Sequence, residues 1–275
     1  MKSVGENIKD LRIARKITQT DLAKTLYTRS AISKIEHSNQ DLLYENAKVI
    51  LEKLGVSQTE FEYIRNNYSF TPKEDIIYSF LNITYNTETA TINELLKKCS
   101  YLADDPDITH IKIILTAFKN DKDQLGLTLA KKMLIPLWND QFSKYDTWTI
   151  LDLHILNMIF FIFDTETMNQ ISKQAITVIN TKYPFLKSLK ASFLLNRGIL
   201  LMRSGNITQA IQALKSTCQI CQKNRQYDKL LIAQTRIAIC NNDKDLALHY
   251  INILHELGAT DLSTSLKKEV LLFLN

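Results

Sequence analysis

Thr18-Gln19-Thr20-Asp21-Leu22-Ala23, followed five residues later by Thr28-Arg29-Ser30-Ala31-Ile32-Ser33-Lys34-Ile35-Glu36, decides how the rest of the chain is read. Each segment opens on a threonine, whose hydroxyl can accept a hydrogen bond from an unpaired N–H in the first turn of a helix. Each also carries an apolar side. In the first it is Leu22 and Ala23; in the second it is Ile32 and Ile35, three apart and so on one face. The other face of the second helix shows Arg29, Ser30, Ser33 and Lys34, all able to hydrogen-bond and none acidic. Two short helices joined by a tight turn, the second with such a face, suit the major groove of DNA. The helix N-terminus attracts phosphate while long polar side chains reach base edges. The bland alternative is an ordinary solvated helix face.

The flanking residues complete a module. Ser3 can cap a first helix running to about Lys16, with Val4, Ile8 and Leu11 facing inward. His37-Ser38-Asn39-Gln40 is a polar loop of the kind that lies along the sugar-phosphate backbone, and Asn39 is its candidate phosphate contact. A fourth helix spans about 42–54, with Ala47, Ile50, Leu51 and Leu54 as its core face and Gly55 as its stop. Ser57 caps a fifth helix carrying Phe61 and Ile64. Residues 1–66 form a five-helix DNA-binding domain, and 67–72 read as a linker, with Pro72 at the start of the next helix.

From 73 to 275 the pattern changes to longer helices with brief polar turns, at about 73–85, 89–103, 108–119, 122–138, 145–163, 166–182, 186–203, 207–223, 227–241, 244–257 and 262–274. Paired helices of this length predict a solenoid. Gly198 and Ala210 stand twelve apart, as do the small positions of a tetratricopeptide repeat, and Ala247 lies 37 residues beyond Ala210. The echo is degenerate, with Thr235 where a second small residue is expected. Upstream of 186 no clean repeat aligns. The fold class is all-α: a lambda-repressor-like helix-turn-helix domain followed by a tetratricopeptide-like α-solenoid.

The first segment resembles the helix-turn-helix of the phage-repressor class (Cro/cI, or XRE). That class has Gln at the start of helix two, matched by Gln19, and Ile-Ser-x-Ile-Glu, matched by Ile32-Ser33-Lys34-Ile35-Glu36. Its Arg that pairs with the Glu is matched by Arg12, so the resemblance implies an Arg12–Glu36 ion pair bracing helix one on helix three. The usual Leu-Gly between the helices is absent. A shortened turn of this kind resembles the Rgg/MutR branch, relatives of PlcR. In length and layout that likeness covers nearly the whole chain, and its motif covers the first quarter. It implies a dimeric regulator that reads a palindromic operator in double-stranded DNA and senses a short linear signalling peptide. Under it, Gln19, Arg29, Ser30, Ser33, Lys34 and Asn39 contact DNA.

Composition sets the bounds. The chain has 275 residues, 45% of them hydrophobic, with only six Gly and four Pro, which favours helix throughout. Net charge is +5, too mild for a general nucleic-acid coat, but it is unevenly placed. Lys2, Lys9, Arg12, Arg15, Lys16, Lys24, Arg29 and Lys34 face only Glu6, Asp10, Asp21 and Glu36 before residue 41, so the phosphate footprint sits at one end. Cys99, Cys218, Cys221 and Cys240 have no disulfide-framework spacing, no secretory signal precedes the first helix, and no apolar run reaches spanning length. The expectation is a cytoplasmic protein with no membrane partner.

No nucleophile context, phosphate loop or carboxylate pair is present, so no enzyme, cofactor or metal is expected. Cys218-Gln219-Ile220-Cys221 lacks a second ligand pair and reads as packing thiols, and Asp104-Asp105-Pro106-Asp107 reads as a turn and helix cap. Candidate peptide contacts are His154, Asn157, Asn196 and Arg203, since an extended peptide needs its main-chain groups paired when buried. Asn157 and Asn196 could equally satisfy neighbouring helices. The repeat domain, with its apolar C-terminal helices (Val270, Leu271, Leu272, Phe273), is the expected place for a dimer interface. The rival readings are a regulator whose repeats only dimerise, with no small ligand, and a scaffold with a vestigial DNA module.

Overall fold

The computed structural model describes residues 2–24, 27–37, 42–83, 89–120 and 124–274, apart from the side chains of 120, 124 and 125. They are helical, with no strand among them, and the chain divides into two compact units, Met1–Asp75 and Ile76–Asn275.

In the first unit, α1 (Val4–Ala14) starts on a reciprocal cap. The Glu6 N–H donates to Ser3 Oγ at 3.2 Å and the Ser3 N–H to Glu6 Oε2 at 2.7 Å. The helix ends before the expected Lys16 because Lys16 turns left-handed (φ 56°) and the Ile17 N–H donates back to Arg12 O. Thr18 caps α2 (Gln19–Ala23) through the Asp21 N–H at 3.0 Å. Thr28 caps α3 (Arg29–His37) through the Ala31 N–H at 3.1 Å. Then come α4 (Tyr44–Leu54), stopped by left-handed Gly55 (φ 62°), and α5 (Gln58–Arg65), capped by Ser57. Ile8, Leu22, Ile32, Ile50, Leu51, Leu54 and Phe61 meet in one core. Each such burial stabilises by about 1.5–3 kcal/mol.

The second core begins with Ile76 and Phe80 on α6 (Pro72–Leu81), followed by α7 (Thr89–Cys99), α8 (Pro106–Asn120) and α9 (Gln124–Asp140). Asp105 caps α8, accepting from the N–H groups of Asp107 and Ile108. The helix expected at 145–163 is shorter. It is α10 (Ile150–Ile159), extended by a single 3₁₀ turn over Phe160–Ile162. Thr149 and Asp152 form a reciprocal cap that fixes the start, and Trp148, buried just before it, donates Nε1–H to Phe142 O at 3.1 Å.

The remaining helices are α11 (Thr165–Lys182), α12 (Lys187–Arg203), α13 (Ile207–Asn224), α14 (Tyr227–Cys240), α15 (Lys244–Glu256) and α16 (Thr260–Phe273). Four successive turns close with the same backbone bond: Asn206 N–H to Leu201 O, Gln226 to Cys221, Asp243 to Ala238 and Ala259 to Leu254. The left-handed residue in these turns is Gly205, Arg225, Asn242 and Gly258 in order. At Gly198 a Cβ would lie 2.6 Å from Leu214 Cδ2, so α12 and α13 cross where only glycine fits. Thr235 occupies the next such place on α14, fully buried, its hydroxyl donating to Leu231 O at 2.8 Å. That bond satisfies the polar atom a glycine would not have brought.

Contacts link α10 to α12, α12 to α14 and α14 to α16, so alternate helices form one closely packed row. Repeat stacks of this kind curve and carry an extended concave surface, and this row is the candidate for it.

Candidate functional site

Glu36 lies at the centre of the first unit, only 1% exposed. Arg12 reaches it from α1 with Nε at 2.5 Å from Oε1 and Nη2 at 2.9 Å from Oε2, while Nη1 donates to Ile17 O at 2.9 Å. Gln19 donates Nε2–H to Glu36 Oε2 at 2.9 Å from α2. Burial pushes the Glu36 carboxyl up, but the hydrogen bonds from Arg12 and Gln19 and Arg12's charge outweigh it, leaving the group below the usual carboxylate range. One carboxylate thus ties the three helices of the motif together.

That lock presents a face. Arg29, Ser30 and Lys34 are exposed on α3 and Ser33 is half-buried beside them, while Ile32 and Glu36 point inward. Eight residues line a shallow depression next to this helix, among them Gln19 and the three cations Arg12, Lys16 and Arg29. Gln19 spends one amide hydrogen on Glu36, so its first duty is positioning and only its second hydrogen is available to a phosphate. Asn39 lies outside the described residues.

Sequence reasoning missed two residues here. Lys53 of α4 donates Nζ–H to Leu22 O at 2.9 Å and to Lys24 O, covering the C-terminal carbonyls of the five-residue α2. His37 bonds Ser33 O at 2.7 Å through Nδ1 and faces Lys9 Nζ at 3.3 Å through Nε2, which fits an imidazole donating at Nδ1 and accepting at Nε2. No local pattern announces the Lys53–Leu22 and His37–Lys9 contacts, because those partners are distant in the chain.

In the second unit, Asn157 of α10 and Asn196 of α12 are brought together. Asn196 Nδ2 donates to Asn157 O at 3.3 Å and to Oδ1 at 3.2 Å. Among the described residues Asn157's amide hydrogens and Asn196's side-chain oxygen have no further bond, so the pair keeps donors on one helix and an acceptor on the other. His154, one turn before Asn157, is held down to about 4, first by burial and then by the charge of Lys229. It is therefore a neutral imidazole near pH 7. Arg203 is exposed, seven residues beyond Asn196 on α12.

The row continues with Arg236 of α14. It donates to Leu195 O of α12 at 3.2 Å and grips Glu269 of α16 at 2.9 and 2.8 Å. Cys221 is buried within α13 and its thiol is pushed up to about 11, an inert packing group. At the apolar C-terminal helix the four residues divide between core and surface. Val270 is buried and Phe273 packs on the same core, leaving only Leu271 and Leu272 exposed. A helix buried on one side cannot offer both sides to a second chain.

Residues 5–69 match a family described as a helix-turn-helix domain. No curated protein matches the chain in sequence. The first unit is therefore a helix-turn-helix module. Along nearly its full length the chain also shares its fold with bacterial regulators. A proposed transcriptional regulator from Listeria monocytogenes EGD-e superposes with a TM-score of 0.70 at 17% identity, covering 97% of this chain and 96% of that one. The Streptococcus dysgalactiae SHP pheromone receptor Rgg2 does so at 0.65 and 17%, covering 97% and 98%. Bacillus thuringiensis PlcR, in complex with the peptide PapR7 and DNA, does so at 0.61 and 15%, covering 96% and 99%. None of these is described as an enzyme. No described helix is long and apolar enough to cross a membrane.

Proposed function

We propose that the chain is a cytoplasmic transcription regulator: residues 1–66 read DNA, 67–72 link, and 73–275 dimerise and bind a short signalling peptide on the concave side. The observation carrying the DNA reading is the exposed Arg29-Ser30-x-x-Ser33-Lys34 face, held by a helix whose buried Glu36 is fixed from both other helices of the motif. Arg29 and Lys34 supply base-edge donors, and the hydroxyls of Ser30 and Ser33 either donate or accept. Arg12's guanidinium is consumed by Glu36 and contributes placement.

One module covers few base pairs, and its phosphate contacts alone give weak, salt-sensitive binding. Two modules spaced by a helical turn of DNA would read a palindrome, which favours a dimer. On the concave side the Asn157–Asn196 pair suits a peptide main chain, which presents N–H and C=O groups together. A peptide regulates only by favouring one arrangement of the DNA modules over another.

The same asparagine bond also favours a second reading. The pair already satisfies itself in part, as it would in a repeat domain that only dimerises. Genome-wide footprinting of bound DNA tests the main proposal. A palindromic motif near promoters is expected, and uniform occupancy would discard it. Calorimetry with peptides encoded beside the gene separates the readings. Loss of affinity in Asn196→Ala at an unchanged Tm supports the groove, and a lowered Tm at unchanged affinity returns the pair to the scaffold.

A further inference from the structure

Among the described residues two fully charged side-chain types are buried, Glu36 and Lys229. Glu36 has Arg12. Lys229, on α14, has no carboxylate within ion-pair distance among the described residues, and its Nζ donates to Ser188 of α12, at 2.8 Å to Oγ and 3.3 Å to the carbonyl. An ammonium has three N–H donors, so one remains.

The next rung of the same two helices shows what a completed site looks like. Arg236 stands seven residues after Lys229, on the same side of α14 and two turns on. It donates to Leu195 O, seven residues after Ser188 on α12, and is neutralised by Glu269 of α16. The groups acting around Lys229 are otherwise neutral or remote. His154 of α10 is an uncharged imidazole, the Cys221 thiol of α13 is protonated, and Asp228 acts only from the adjacent chain position. A buried cation held by neutral acceptors is costly unless an anion joins it. An arriving carboxylate would form a charge-assisted hydrogen bond in a site of low polarisability.

We propose that Lys229, standing on Ser188 beside His154, receives a carboxylate of the peptide ligand and so fixes its register along the concave row. The inference rests on the peptide-binding reading above. Ser188 and Asn196 are eight residues apart on α12, about 12 Å. An extended peptide covers that in three or four residues at about 3.3 Å each. The carboxylate is therefore either a free C-terminus or an Asp or Glu side chain three or four residues from the unit held by the asparagines.

The test uses full-length protein and synthetic apolar octapeptides. Each is made as free acid and as carboxamide, with and without one internal Asp, and retained species are read by mass spectrometry. The parent should retain peptides bearing a carboxylate at least tenfold over those with none. Amidation abolishes retention if the C-terminus is the source; removing the Asp does so if the side chain is. Lys229→Met should lose that preference while still retaining peptides, and Lys229→Gln serves if Met perturbs the fold. An equal preference in parent and variants, or no preference in the parent, overturns the assignment. Retention of no peptide at all by the parent sinks the peptide-binding reading and this inference with it.

Discussion

Replacing Arg12 with Met keeps most of the apolar stem and deletes the guanidinium. Three hydrogen bonds go: two to Glu36, whose side chain has no exposure, and one to Ile17 O. Gln19 alone then faces a buried carboxylate. Removing one partner of a buried pair costs about 3–5 kcal/mol, most of it the penalty of the charge left behind. A unit of this length has roughly 4–11 kcal/mol in total at 0.05–0.15 kcal/mol per residue, so the loss should be visible as frequent opening. Adding Glu36→Gln removes the stranded charge and keeps an acceptor for Gln19, so the double variant should recover most of the loss. Hydrogen exchange on the full chain, followed at the amides of Ile8 and Ile32, reads the opening free energy of this unit alone. The reasoning fails if Arg12→Met opens within about 1 kcal/mol of the parent, or if the double variant is as unstable as the single one.

Three further outcomes follow from the same packing. Gly198→Ala places a methyl 2.6 Å from Leu214 Cδ2 and should cost about 1–3 kcal/mol by urea denaturation, with Leu214→Ala relieving the clash. His154 takes a proton near pH 6.5 when unfolded but only near 4 when folded, so the unfolded chain binds more protons between those values and acidification there favours unfolding. The second unit should lose on the order of 3 kcal/mol from pH 6.5 to 4, read by Trp138 and Trp148 fluorescence, and His154→Leu should flatten that slope. Lys53→Met uncovers the carbonyls of α2 and should weaken operator binding by about tenfold, worth about 1.4 kcal/mol, with parent affinity counting against its positioning role.

Much of the architecture was legible because it is written locally. Ser3, Thr18, Thr28 and Ser57 each cap where a hydroxyl precedes an apolar-periodic segment, and Gly198 announces a helix crossing. The repeats blurred where substitutions preserve geometry by other means. Arg225 and Asn242 hold left-handed turns that Gly205 and Gly258 hold elsewhere, and Thr235 hides its hydroxyl in its own helix. The start of α10 lies five residues after the expected 145 because the apolar spacing Trp148, Leu151, Ile155 extends past the cap at Thr149. Lys53, His37 and the Lys229–Ser188 rung were invisible for a different reason. Their partners Leu22, Lys9 and Ser188 lie between 28 and 41 residues away, and nothing in single-sequence periodicity pairs them.

The central claim, that α3 reads sequence in DNA, is tested most directly by fluorescence anisotropy on a footprint-selected duplex. The parent chain, Arg29→Ala and Lys34→Ala are compared there and on random duplex at matched salt. The account predicts that Arg29→Ala loses about 1–3 kcal/mol on the selected site and far less on random duplex, with preference relaxed at one base pair per half-site. Equal affinity of parent and variants on both duplexes would contradict it.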